Sequence, residues 1–186
     1  MARAEVYKVA WLAIPGLAAV AASVIAAPGV PGLAGAALAL MMLAIAAIDW
    51  RLLIIPNELS AMTLALGFAA LSYERWNEMP GPASDALARC GAMAAVFLLF
   101  RVGYQQLRGR EGMGLGDVKL AGVAGVWLDW TSLPIAVEIA ALSALAFVLT
   151  QRLRRAQPVD QFSKLPFGAF LAPAIWICWF LNRAWR

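Results

Sequence analysis

The sequence predicts an all-α, polytopic bundle of membrane-spanning helices, and three observations carry that expectation. Of its 186 residues, 63% are hydrophobic and 14% charged, where soluble globular chains average about 45–50% and about 25%. Mean hydropathy is +0.75. The apolar residues fall in long runs separated by short polar knots, the pattern of helices that cross a bilayer.

Seven runs are candidate spans: residues 9–27, 32–48, 59–73, 86–107, 117–131, 133–150 and 165–182. The first, WLAIPGLAAVAASVIAA after MARAEVYKVA, resembles a signal peptide with an AxA-like site near Ala26 and Ala27. Further spans follow directly, so it is expected to stay as a first helix kinked at Pro15. Between the runs there is no linker long enough to set off a second domain. Residues 1–186 therefore read as one membrane-embedded domain, with about six to seven transmembrane helices.

Lys and Arg in short loops orient such a chain. With the N-terminus cytoplasmic, the cytoplasmic segments 1–8, 49–58, 108–116 and 151–164 carry Arg3, Lys8, Arg51, Arg108, Arg110, Arg152, Arg154, Arg155 and Lys164. The opposite side has the uncharged 28–31 turn, the acidic 74–85 loop with Arg75, and the 129–132 turn; Arg183 and Arg186 oppose the rule weakly. Trp50, Trp76, Trp127, Trp130 and Trp185 fall near the expected interfaces. The net charge of +4 thus reflects topology and contact with lipids, since no basic stripe with aromatic platforms marks a nucleic-acid surface.

The chain has no histidine, and its cysteines are Cys90 and Cys178. That excludes HExxH zinc sites, Ser-His and Cys-His catalysis, and CxxC modules. The cysteines read as small apolar packing residues, and no metal or cofactor is expected.

Two acids stand out. Asp49, in AAIDWRLLIIPNELS, follows a long apolar run, where an acid needs a reason. It is either a helix-end charge paired with Arg51 or a functional group. Ile55-Pro56-Asn57 then breaks the chain, and Asn57 or Glu58 can cap the helix beyond. Asp117 lies in GMGLGDVKLAG, where Gly112, Gly114 and Gly116 permit a tight turn and close approach. There it opens a helix whose dipole favours an acid. The spacing is not that of a phosphate-binding loop, and no strand precedes it. The topology brings both acids, two intervening spans apart, to the same membrane face. Two carboxylates close together cannot both ionise cheaply, so they share a proton. One then activates water while the other polarises a peptide carbonyl. That is aspartic-peptidase chemistry, without histidine or metal.

These segments resemble the type IV prepilin peptidases, of the GxGD class of membrane aspartic peptidases. Asp49 followed by Ile55-Pro56-Asn57 resembles the family's D…[IV]PN motif, and Gly114-Leu115-Gly116-Asp117-Val118-Lys119 matches GxGDxK. Leu165-Pro166-Phe167-Gly168-Ala169-Phe170-Leu171-Ala172-Pro173 is similar to a PFGPxLA segment, with Ala169 where proline is more usual. The resemblance, over about residues 35–180, implies that Asp49 and Asp117 are the catalytic pair. It assigns Pro56, Asn57, Gly114, Gly116, Lys119, Pro166, Phe167 and Gly168 to the motifs around them. It also implies removal of a short basic leader from a prepilin or pseudopilin at the cytoplasmic face of the inner membrane. Larger members carry an added cytoplasmic domain with paired CxxC motifs and also N-methylate. This chain resembles the compact form of Flp/Tad-type pili or archaeal preflagellin peptidases, so methylation is not expected.

Lys119 lies two residues along a helix from Asp117 and so points elsewhere, towards positioning or headgroup contact. Arg101 is expected to snorkel to the headgroups, with a contact to substrate or Asp117 as the alternative. Glu138 reads as a proton relay or a polar packing contact, and Arg152, Arg154 and Arg155 as a lipid anchor. Two other readings remain: a small proton- or cation-coupled transporter using Asp49 and Asp117 as its ion site, and a structural membrane subunit.

Overall fold

A computed structural model describes residues 2–77, 83–109, 112–154 and 165–185, with the side chains of 2–12, 77 and 83 left out. Of the residues weighed for topology, Arg110, Arg155, Lys164 and Arg186 lie outside the described residues, as do the side chains of Arg3 and Lys8. Among the described residues there are seven α-helices and no strand: α1 Ala2–Ala26, α2 Val30–Leu52, α3 Asn57–Asn77, α4 Ala83–Arg108, α5 Leu115–Trp127, α6 Ser132–Arg154 and α7 Gly168–Ala184.

Each helix coincides with an expected span to within a few residues, except that α1 begins earlier. Among the described residues, three helices are long and apolar enough to cross a membrane by themselves: Val30–Leu52, Ser84–Arg108 and Ser132–Arg154. The described apolar part of α1, Ala13–Ala26, is shorter. Helix α5 has 13 residues, about 20 Å at 1.5 Å per residue, too short for the ~30 Å hydrocarbon layer. Its residues from Val118 to Val126 are nearly all buried because α3, α4 and α7 surround it.

Small residues set the helix spacing, as they do where apolar lipid competes for every greasy face. A Cβ on Gly125 of α5 would lie 2.5 Å from backbone atoms of Arg89 and Cys90, so α4 and α5 touch backbone to backbone. The Trp179 ring of α7 lies on Gly35 of α2, where a Cβ would fall 1.8 Å from it. On α2, Leu38, Met42 and Ile45 recur at helical spacing and are fully buried, in one core cluster with Leu171 and Ile175 of α7 and Leu120 of α5. Helix α1 packs on α2, and its Ser23 hydroxyl accepts the Trp176 indole N–H at 3.0 Å. Pro15 lies within α1, which continues through it. Cys178 is buried and Cys90 half-buried.

One end of the bundle is fastened by polar side chains. Arg183 pairs with Glu74, and Arg89 pairs with Asp85 while donating to Gly125 O at 3.0 Å. In the turn between α5 and α6, Asp129 accepts Ser132 N–H at 2.7 Å, Thr131 Oγ1–H at 3.0 Å and Asn182 Nδ2–H at 2.9 Å. The opposite end holds the C-termini of α2, α4 and α6 with Arg51, Arg108, Arg152 and Arg154 in their last turns, and the N-termini of α3, α5 and α7.

Burial works against the charge on Asp129, but the hydrogen bonds from Ser132, Asn182 and Thr131 outweigh it and hold the carboxyl well below the usual carboxylate range. A carboxyl lowered by folding stabilises the fold above its unfolded pKa of about 3.9. That contribution fades below about pH 4 and disappears as pH falls through the folded-state value. Asp129→Asn in detergent is therefore expected to melt below wild type at pH 7, with the gap narrowing as pH drops under about 4. A gap that stays constant with pH would contradict the electrostatic account.

Candidate active site

At the end of the bundle opposite those ties, three chain breaks converge. Asp49 lies in the last turn of α2, whose C-cap Leu53 turns into the left-handed region at φ 56° while its N–H donates to Asp49 O at 2.9 Å. A leucine in that region costs about 1–2 kcal/mol. The turn re-aims the chain so that Ile55 enters the interior, 8% exposed, while Leu53 and Ile54 stay outside. Pro56 then precedes α3, its carbonyl accepting both Ser60 N–H and Ser60 Oγ–H at 3.2 Å.

Asp117 lies in the first turn of α5, preceded by Gly114 in extended conformation. Its Oδ2 accepts the Gly114 N–H at 3.1 Å, half of a capping box made inside the glycine-rich turn. Gly168 begins α7 directly after Pro166 and Phe167, and the next amide, Ala169 N–H, donates to Asp49 Oδ2 at 2.9 Å. Gly168 itself lies against Asp49, a Cβ there falling 3.0 Å from Asp49 Oδ2. An anion at a helix N-terminus is a favoured arrangement, because the first amides have no partner within the helix.

Glycine makes the approach possible. A Cβ on Gly168 would lie 2.6 Å from Ile55 Cδ1 and 3.0 Å from Asp49 Oδ2, and one on Gly116 would lie 2.9 Å from Ile55 Cβ. Ile55 is therefore a wedge with one glycine on each side, and the two acids lie around it. Both are buried, Asp49 at 5% and Asp117 at 9% exposure. Phe167 meets Phe97 of α4 at 6.3 Å, and Trp50, Phe147 and Phe170 form a second aromatic group at 5.0–6.0 Å.

Of the residues singled out in the sequence, Asp49, Asp117, Gly114, Gly116 and Gly168 come together here, with Pro166 and Phe167 setting the start of α7. Pro56, Asn57 and Lys119 stand beside them. Lys119 points away from Asp117, as helical spacing requires, and its Nζ donates to Asn57 Oδ1 at 2.6 Å. That bond joins the break after Asp49 to the helix bearing Asp117, and it gives the Asn57 side chain a role other than capping. Arg51, a candidate partner for Asp49 in the sequence, is exposed while Asp49 is buried. Arg101 donates to Met113 O at 3.1 Å instead of simply reaching for headgroups. Glu138 is exposed in the second turn of α6, at the far end, and so cannot relay protons to the pair.

Two contributors were not singled out. Ile55 was visible only as part of the Ile55-Pro56-Asn57 break, and nothing in residue type separates it from Leu52, Leu53 and Ile54 before it. Ala169 was noted only for standing where proline is more usual, yet its N–H is a donor that proline lacks.

A helical membrane bundle holding two buried carboxylates at one end, among glycine contacts, defines the class of this protein. The model of the type IV leader peptidase family matches residues 36–149, and the chain belongs to that family. Asp49 and Asp117 fall inside the match, and the segment from Leu165 onward lies beyond it. The chain is 32% identical over 170 residues to the prepilin leader peptidase/N-methyltransferase of Aeromonas hydrophila, covering 88% of this chain and 54% of that protein. It is 38% identical over 133 residues to the protein of that name from Burkholderia pseudomallei (strain K96243), covering 70% and 40%. With that of Pseudomonas aeruginosa the identity is 33% over 137 residues, covering 73% and 45%. The chain thus spans about half the length of the curated relatives it matches. No solved structure matches it.

The wedge contact has a measurable consequence. Gly168→Ala is expected to lower stability by about 1–3 kcal/mol through overpacking. Ile55→Val deletes the Cδ1 atom that the new methyl group meets first. Unfolding midpoints in detergent should therefore show the double variant more stable than the sum of the singles, by at least about 0.5 kcal/mol. Simple additivity would mean that the two residues do not share this contact.

Proposed function

We propose that this chain is an aspartic endopeptidase of the inner membrane that removes the short basic leader from type IV, Flp-like prepilins or pseudopilins, with Asp49 and Asp117 as its catalytic pair. The observation that carries the reading is that two buried carboxylates lie at one end of the bundle, each accepting a backbone N–H at a chain break, from segments that belong to separate motifs. Family membership supports a leader peptidase, and the names of the relatives support a prepilin as substrate. In this reading residues 1–186 act as one membrane-embedded domain.

One aspartate, ionised, takes a proton from water as it attacks the scissile carbonyl. The other, protonated, donates to the carbonyl oxygen, and the proton returns as the tetrahedral intermediate collapses. Neither step needs a metal or a cofactor. Arg51, Arg108, Arg152 and Arg154 lie at the end of the bundle that holds the pair, which supports a cytoplasmic active site by the positive-inside rule and contact with anionic lipid. The apolar helix of the substrate lies in the membrane beside the enzyme, its leader extended towards the pair. Leu99, Phe100, Gly103, Tyr104 and Leu107 of α4 line an apolar groove of about 540 Å³ with Gly112 and Met113, next to the turn that carries Asp117. We assign that helix to this groove.

The test is cleavage of a co-expressed Flp-type prepilin by wild type, Asp49→Asn and Asp117→Asn, each checked for membrane insertion. Wild type should release the leader, and each variant should lose activity by at least about a thousandfold, since asparagine cannot exchange a proton. Near-normal cleavage by either variant removes that aspartate from the mechanism and with it the peptidase reading.

A further inference from the structure

Arg101 stands seven residues from the end of α4, inside a stretch long and apolar enough to cross a membrane. A cation at such a place is costly unless something uses it. Its Nη1 donates to the carbonyl oxygen of Met113 at 3.1 Å. The N–H of the same peptide unit belongs to Gly114, and it donates to Asp117 Oδ2 at 3.1 Å. The peptide group is planar, with C=O and N–H pointing in opposite directions. Fixing its oxygen therefore fixes the line along which its N–H meets the carboxylate. A cationic donor on the oxygen also polarises the peptide and strengthens the N–H as a donor.

One turn further along the same face of α4, Tyr104 supports the preceding residue. A Cβ on Gly112 would lie 2.4 Å from Tyr104 Cδ1, so the backbone of the turn rests on the ring. Met113 between them packs against the hydrophobic core. Two successive residues of the turn are thus fixed by two residues of α4 one turn apart. The next residue, Gly114, touches Asp117.

We propose that Arg101 is a positioning residue for Asp117, acting through the Met113–Gly114 peptide, with Tyr104 as the platform that seats Gly112 beneath it. The proposal rests on the peptidase reading for its kinetic consequence but not for its structural one.

The experiment has two arms, both on the full-length purified chain in detergent. Hydrogen exchange across residues 112–116 should quicken in Arg101→Met, which keeps side-chain length but has no donor, and stay near wild type in Arg101→Lys. In cleavage of a Flp-type prepilin, Arg101→Met should lose about tenfold to a hundredfold in kcat, as expected of a displaced reacting group. KM should change little, and Arg101→Lys should recover most of the rate. Gly112→Ala attacks the clamp from the other side, and Tyr104→Ala in the same chain should restore part of what it loses. Unchanged exchange in Arg101→Met overturns the clamp. Faster exchange with undiminished kcat overturns the positioning role, and equal loss in Met and Lys variants does the same. If the wild type does not cleave, the peptidase reading fails, and the exchange arm still decides whether Arg101 orders the turn.

Discussion

Space around Ile55 is the constraint on which the rest of this structure depends. Its side chain lies between Gly116 and Gly168, and the closest approaches, 2.9 Å and 2.6 Å to a notional Cβ, mean that a larger residue at either position displaces a neighbour. Both acids belong to the segments so joined. Asp49 lies six residues before Ile55, across the left-handed turn at Leu53, and Asp117 follows Gly116 directly. A methyl group at either glycine therefore requires the Ile55 side chain or the N-terminus of α5 or α7 to shift. The strain at Leu53 has the same origin, because an ordinary helix ending would leave Ile55 outside the bundle.

The far end of the bundle complements this arrangement. There, interactions run between side chains: Arg183 with Glu74, Arg89 with Asp85, and Asp129 with Asn182. They fix the ends of α3, α4 and α7 and the α5–α6 turn. At the site end the Lys119–Asn57 bond ties the two acid-bearing segments together. Short α5 is therefore positioned chiefly by its flanks, through the backbone contact of Gly125 with Arg89 and Cys90 and the hydrogen bond from Trp127 to Thr63 O at 3.0 Å. A rigid far end and glycine contacts at the near end let a helix too short to span the membrane hold an acid in register.

Much of the fold was legible because hydropathy is a one-dimensional signal. Runs of apolar residues gave each helix to within a few residues, and alternating direction brought Asp49 and Asp117 to the same end. The membrane-crossing capacity of each helix was less legible. Burial inside the chain and burial in lipid both demand apolar residues, so the run containing α5 read as a span although its 13 residues are enclosed by other helices. At the site, the acids and glycines were visible because such residues are unusual in apolar sequence. Ile55 and Ala169 were not, being ordinary apolar residues in an apolar chain. One acts by volume and the other by its backbone, and neither property has a signature in residue type. Arg101 was visible as an anomaly, but its partner is a carbonyl oxygen, which every residue carries.

Backbone donors explain why the site looks as it does. Two backbone amides hold the carboxylates: Gly114 N–H donates to Asp117 Oδ2 and Ala169 N–H to Asp49 Oδ2. An arginine or lysine in direct contact would pair with one acid and compete with the sharing of a proton between two. An amide stabilises negative charge without carrying a full charge of its own, and it has no rotamer to choose. Its direction is set by the chain break that exposes it, at the first turn of α5 and the first turn of α7. The glycines serve that purpose, since a donor on the main chain reaches a carboxylate only where no Cβ intervenes. Charge enters one peptide further out, where Arg101 donates to the Met113 oxygen. An acid pair kept away from water in this way depends on the geometry of its chain breaks more than on the identity of neighbouring side chains.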